Sequence, residues 1–371
     1  MRALTAMLRS AVLVFGLLVG ALFPAAGAHS AEPDLALAAR LPENLSFCGE
    51  RVAQDHPAVR ELFEKEMLLT LGDRPQVILW LKRAPRYLPE IADELKRRGM
   101  PEDLKYLVVT ESGLRPHVGS PKGALGFWQL MPETARRYGL RVDRYIDERR
   151  DLGRSTPAAL RYLRELRERL GSWLLAAAAF NMGEEGLIAE MIEQNTRNYL
   201  DLYLSLETQR YLFRILVAKR ILEDPAGYGF DLRREDLYAP PAYRTVALDF
   251  SVETPISLLA RLSGTTFKAI KELNPHLRGH YIQPGRHEIR LPPAVPEDLQ
   301  AGLDVQLAAY LSERRQRVYV VQSGDNLSSI AERHNVPLAA LLIWNRIDTT
   351  RVIHPGDRLV IYPRSLNDID P

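Results

Sequence analysis

From about residue 56 to residue 224 the apolar residues return at helical spacing, and after Pro225 they do not. That change of period divides the chain. A 3.6-residue stripe buries one face of a helix, whereas short β-type runs between turn residues build small sheets. In the first part, stripes run over 58–71, 76–82 and 88–98, the last ended by Gly99. Pro101 occupies a helix start, where its missing N–H costs nothing, and that helix carries Leu104, Leu107 and Val108 to about Ser112. Ser155-Thr156-Pro157 reads as another start, opening a helix that turns Leu160, Leu163 and Leu166 inward and stops before Gly171. Residues 173–180 are apolar on every face, as in a helix buried mid-domain, and 205–222 form a last amphipathic helix. Strand patterns are scarce here, so the expectation is an all-α domain over 50–237.

Beyond it, 243–293 and 317–363 read as divergent copies of one unit. Each opens with a β-type run, continues with two short helices of which the second ends in Asn (Asn274, Asn345), and closes with Pro-Gly and a strand. That order predicts small α+β (βααβ) modules, two helices on a two-stranded antiparallel sheet. Tyr238-Ala239-Pro240-Pro241 reads as a linker, because adjacent prolines cannot continue a helix. Residues 292–316 join the modules and are partly helical around 299–311.

Composition and the N-terminus narrow the class of partner. With 49 basic and 47 acidic side chains the net charge is +2. So even a balance argues against nucleic acid as a partner and suits a neutral polymer. Cys48 is the single cysteine, which excludes an intrachain disulfide and a Cys-rich zinc module. Arg2 and Arg9 precede an uncharged run over 11–28, broken by Pro24 and closed by Ala26-Gly27-Ala28. This reads as a cleavable signal peptide over 1–28. An uncleaved membrane anchor is the alternative, since 18 residues just span a bilayer. In both cases the bulk is exported, to the periplasm or cell envelope, and after cleavage no stable membrane insertion is expected. Cys48 does not fit a lipid attachment site, because Glu32, Asp34, Arg40 and Glu43 separate it from the apolar run and Phe47 is bulky.

The densest chemistry lies over 111–135. Glu111 ends an apolar helix, and a loop rich in Gly, Ser and Pro follows it. Ser120 and Gln129 offer hydrogen bonds, while Phe127, Trp128 and Met131 offer flat or adaptable apolar surface, the mixture that sugars need. The helix dipole disfavours a carboxylate at Glu111 by roughly 0.3–1 kcal/mol, less than the ~1.4 kcal/mol of one pKa unit. To stay protonated near neutrality Glu111 needs burial, for which Leu107, Val108 and the Phe127-Trp128 loop are placed. An exposed Glu at a frayed helix end is the plainer reading of the same residue. Glu184 and Glu185 read as surface charge. Glu207 is open between a buried structural role and a cleft role.

Glu111-Ser112, the run from Gly123 through Trp128-Gln129 to Thr134-Ala135, and Ala179-Phe180-Asn181-Met182-Gly183 together resemble the soluble lytic transglycosylase (SLT) domain, over about 90–225. The resemblance implies an all-α lysozyme-like fold that cleaves peptidoglycan glycan strands, with Glu111 as single catalytic acid/base and no metal or cofactor. It implies cleft roles for Ser120, Gln129, Met131, Phe180 and Asn181, and for Glu207 and Tyr211 in the last motif. Phe180 stands where the family has a Tyr whose hydroxyl lies near the catalytic carboxylate. The family's single Glu first protonates the glycosidic oxygen, then deprotonates the sugar's own 6-hydroxyl, which closes a 1,6-anhydromuramic ring. A nucleophile held within the substrate replaces the second carboxylate of the usual glycosidase pair. The stretch 319–331 resembles the start of a LysM domain, a module that binds N-acetylglucosamine-containing chains. That implies a groove bordered by Gly324, Asp325, Asn326 and Leu327 with Ile353 and His354, Leu327 being divided between core and groove edge. The copy at 243–293 lacks the Gly-Asp signature and reads as a degenerate LysM that packs or spaces. The whole order resembles D-type membrane-bound lytic murein transglycosylases, without the lipid anchor. Two readings stay beside it: a non-catalytic peptidoglycan binder on the same fold, and a lysozyme-type hydrolase.

Overall fold

Two prolines inside one helix show first how tertiary packing overrides local sequence. The computed structural model describes residues 35–362; the expected signal peptide over 1–28 lies outside them, as does residue 363 of the second module. A one-turn helix α1 (Leu35–Ala38) and the hairpin β1–β2 (Ser46–Phe47, Glu50–Arg51) lead into α2 (Pro57–Gly72). The stripes over 76–82 and 88–98 belong to one 24-residue helix, α3 (Arg74–Arg97), which runs through Pro85 and Pro89. A proline costs a helix one hydrogen bond, and here the apolar face carrying Val77, Leu81, Ile91 and Leu95 keeps the helix against the core. After one 3-10 turn at Glu102–Leu104 comes α4 (Lys105–Ser112).

Then follow α5 (Pro132–Arg137), α6 (Leu152–Leu170), α7 (Trp173–Met182), α8 (Glu184–Glu193) and α9 (Leu206–Glu223). The start of α6 differs from the sequence expectation. Asp151 caps it by accepting from the Arg154 N–H, so Pro157 sits inside the helix and not at its first turn. Helix α7 is buried from Leu174 to Ala179, as its uniform apolarity requires, and packs between α6 and α9. The core of this domain also takes in Ala39, Leu45 and Phe47, ahead of residue 50. Cys48, half-buried beside them, donates its backbone N–H to Asp103.

The first module pairs β3 (Arg244–Phe250) antiparallel with β6 (Gly285–Leu291) and covers them with α10 (Ile256–Leu262) and α11 (Phe267–Leu273). A two-residue pair, β4 (Thr254–Pro255) with β5 (Tyr281–Ile282), supplements it. The connector is a helix throughout, α12 (Leu299–Gln316), and its Leu299 and Leu303 join the first module's core. The second module pairs β7 (Val318–Val320) with β8 (Arg358–Val360) beneath α13 (Leu327–Arg333) and α14 (Leu338–Asn345). The repeated Asn has the same work in both copies. Asn274 exchanges hydrogen bonds with the backbone of Arg290, and Asn345 with that of Val360, so the end of each second helix is tied to the last strand.

The first module is anchored to the helical domain. Asp147 donates its N–H to the His276 carbonyl at 2.8 Å, and Arg278 donates to that of Tyr145 at 2.7 Å. The fully buried Asp151 carboxylate accepts both guanidinium nitrogens of Arg290, at 2.7 and 3.0 Å, and faces His276 at 3.2 Å. The 238–241 linker is held too, by bonds from Tyr238 to the Lys82 carbonyl and from Arg86 to that of Ala239. Among the described residues no helix is long and apolar enough to cross a membrane.

Candidate active site

Helix α4 stops where it does because Gly113 takes a left-handed conformation (φ 57°) and closes on the Val109 carbonyl. A side chain there would meet Gln76 Nε2 at 3.0 Å and Trp80 Nε1 at 3.2 Å, so only glycine fits. Arg83 from α3 donates to the Gly113 carbonyl at 3.0 Å. Glu111 is therefore set two residues before a fixed helix end, half-buried. Burial pushes its carboxyl up to about 7 from the ordinary 4.5, against the hydrogen bond from Tyr211 and the positive charge of Arg214. Glu207 adds a smaller upward push. The bond is made by the Tyr211 hydroxyl to Glu111 Oε1, and Tyr211 itself is buried on α9 with its phenol held well above its usual range.

Tyr211 thus touches the acid. It was expected as a cleft residue, and its burial makes it a positioning group for Glu111 instead. The hydroxyl that Phe180 lacks is supplied to the carboxyl from another helix.

The loop after Gly113 is built by its own polar side chains. Ser120 accepts from the Ala124 N–H at 3.1 Å, and Gln129, with φ 47°, donates to the carbonyls of Val118 and Gly126, each at 2.8 Å. Gly126 lies so close to the next segment that a β-carbon would sit 1.9 Å from the Arg149 carbonyl oxygen. Phe127 and Trp128 do not offer sugar-facing surface, contrary to expectation. Phe127 packs edge-on to Tyr87 at 5.0 Å, and Trp128, fully buried, donates to Thr156. Only Met131 of that apolar trio is exposed.

Phe180 packs against Trp128 and Tyr162 at 6.5 and 5.6 Å between ring centres. Asn181 accepts from the Thr208 hydroxyl at 3.0 Å, one turn before Tyr211. The three motifs are thereby joined: Gln129 through Trp128 to Phe180, Asn181 to α9, and α9 to Glu111. Glu207 lies exposed in the first turn of α9, which removes the buried structural role for it.

Sequence reasoning missed Arg149. Its buried guanidinium pairs with Asp147 at 2.8 Å and donates to the carbonyls of Gly123 and Leu130, clamping the middle of the loop to its end. Both residues sit at a single 3-10 turn, which leaves no periodic signal in the sequence.

In the second module a groove of about 480 Å3 is lined by Asp325, Asn326, Leu327 and Ile353 with Leu342 and Arg351. Leu327 is both core and groove wall. Asp325 spends its carboxylate inside the module, accepting from Tyr319, Arg333 and the Gln322 N–H. Asn326 caps α13 in a reciprocal pair with Ser329. Gly324 and His354 occupy exposed turns next to the lining residues in sequence, outside the lining itself.

Comparisons with known proteins match both the helical part of the chain and the modules. Residues 89–201 match the Transglycosylase SLT domain, and 256–287 and 319–361 each match the LysM domain. The chain carries an SLT domain followed by two LysM domains. It is 33% identical over 294 residues to "Membrane-bound lytic murein transglycosylase D" of Escherichia coli, in strain K12 and in strain O6:H1 alike. That match takes in 75% of this chain and 64% of the relative, so the chain spans somewhat less than two thirds of the curated protein's length. Among solved structures, the 70-kDa soluble lytic transglycosylase of E. coli aligns with a TM-score of 0.34 and 17% identity, covering 44% of this chain and 30% of that one.

Proposed function

We propose that this chain is an exported peptidoglycan lytic transglycosylase. Glu111 gives its proton to the oxygen linking N-acetylmuramic acid to N-acetylglucosamine, and the bond from that oxygen to the muramic C1 breaks. The same carboxylate then takes the proton of the muramic 6-hydroxyl, whose oxygen bonds to C1 and leaves a 1,6-anhydro end. Glu111 returns to its neutral form, so one carboxyl serves both steps. The observation that carries this reading is a carboxyl raised to about 7 by burial and held by Tyr211, inside the SLT match. Ser120, Gln129, Met131, Phe180, Asn181 and Glu207 are assigned to shaping or contacting the glycan. The name of the E. coli relative supports murein as the polymer and the envelope as the location.

The groove at Asp325–Asn326–Leu327 and Ile353 is assigned to glycan tethering, which raises the local concentration of substrate. Digestion of purified sacculi followed by mass analysis of the products tests the reaction. Anhydro ends support it; reducing ends mean hydrolysis by added water, and no soluble products mean a binder. Removal of 317–363 is expected to weaken co-sedimentation with sacculi more than turnover of short glycans, and equal co-sedimentation counts against the tether.

A further inference from the structure

The helical domain and the two modules together enclose a cleft of about 630 Å3, inside the ~300–1,000 Å3 usual for ligand sites. One wall is Arg144 and Tyr145 of the helical domain, another runs from Arg278 to Tyr281 of the first module, and the third comes from the second module and includes Arg346 and Arg351. Four guanidiniums meet two carboxylates there. Arg346 takes Glu253 as its ion-pair partner and lies over the Tyr281 ring at 4.3 Å. Asp348 is engaged by the N–H and hydroxyl of Thr350, with Arg144 acting on it only at longer range.

The hydrogen bonds of Arg144 and Arg278 go to neutral groups. Arg144 donates to the Arg346 carbonyl at 2.8 Å and Arg278 to the Asp143 carbonyl at 2.8 Å. Arg351 is exposed. Near Arg278, Arg150 carries a buried Nε with no hydrogen-bond partner.

We propose that this cleft binds the carboxylates of an acidic peptide, the branch that a peptidoglycan strand carries on its sugars. The inference rests on the transglycosylase reading for the identity of the polymer. A neutral amino sugar would leave Arg144, Arg278 and Arg351 repelling one another. A carboxylate matches the planar guanidinium fork with two parallel hydrogen bonds. Because the Asp151–Arg290 bridge fixes the first module to the helical domain, the cleft stands at a set distance from Glu111. A branch bound in it would hold the strand in one register.

The test uses the full chain carrying Glu111→Gln, so that probes are not consumed, and compares Arg144→Gln and Arg278→Gln in that background. The probes are a short glycan with its peptide branches, the same glycan stripped of them, the free branch peptide, that peptide with its carboxyls amidated, and inorganic phosphate. Each substitution is expected to weaken the branched glycan by about tenfold, the equivalent of one charge-assisted pair, and to leave the stripped glycan unchanged. Both arginines are exposed, so folding is preserved. Unchanged affinity for the branched glycan, equal loss for both glycans, amidated peptide binding as tightly as free peptide, or phosphate competing at the peptide's own concentration would each overturn the site. The last outcome would mark a generic anion site. Anhydro ends released by the native chain are scored separately: if they persist while the peptide effect is absent, only the cleft assignment fails. If they are absent, the reaction assignment fails and the binding comparison still decides the cleft.

Discussion

A carboxyl that titrates near 7 weakens the fold that holds it. The unfolded chain releases the Glu111 proton near 4.5, whereas the folded protein keeps it to about 7. Its stability is therefore full below 4.5 and falls as pH rises through that window. At about 1.4 kcal/mol per pH unit the loss is about 3 kcal/mol. Glu111→Gln is expected to remove it: urea midpoints of the helical domain will fall less between pH 5 and pH 8, and the variant will be more stable than the native chain at pH 8. The same variant should lose roughly 10²–10⁴-fold in turnover, the range for a general acid/base. A variant that loses activity without this stability gain would mean that Glu111 is not held neutral.

At the scale of elements, what was legible in the sequence and what was not have separate physical causes. Helix α7 was readable because Trp173 to Phe180 has no polar face, and the βααβ modules because Pro-Gly and Asn recur at matching places. The short α5 and α8 escaped notice, having too few turns to show a stripe. Helix α3 was read in two pieces because Pro85 and Pro89 are local breakers whose cost is met by distant core residues. The motif residues marked the site, yet their division of labour needed coordinates. Trp128 looks like a sugar platform in the sequence and is core, while Tyr211 is the acid's partner from 100 residues away.

The Arg149 clamp had no local signal at all. Its removal, Arg149→Ala, leaves Asp147 buried without its ion-pair partner and takes the clamping bonds from the Gly123 and Leu130 carbonyls, at a cost of about 3–5 kcal/mol. Thermal unfolding of the helical domain measures this, and a change below about 1 kcal/mol would show that the clamp is dispensable.

Over the whole molecule, one buried carboxylate holds the first module in place. Burial alone would raise Asp151, but His276 at 3.2 Å and the two bonds from Arg290 outweigh it and hold the group well below the usual carboxylate range. A depressed carboxylate stabilises above its unfolded value and loses that contribution as pH falls through its folded one, so docking persists until well below pH 3.8. Arg290→Gln is expected to loosen the module at neutral pH, seen as faster proteolysis at 238–241 and a larger radius in X-ray scattering; unchanged values would assign the docking to the backbone pairing of 145–147 with 276–278.

The most direct test of the catalytic assignment is the pH dependence of anhydro-end release from sacculi by the intact chain. The specificity constant should fall with a midpoint near 7 as Glu111 loses its proton, and the midpoint should move upward in Tyr211→Phe, because the hydrogen bond that lowers it is gone while burial remains. A rate that stays level through pH 8, or a midpoint that Tyr211→Phe leaves in place, would contradict Glu111 as the proton donor.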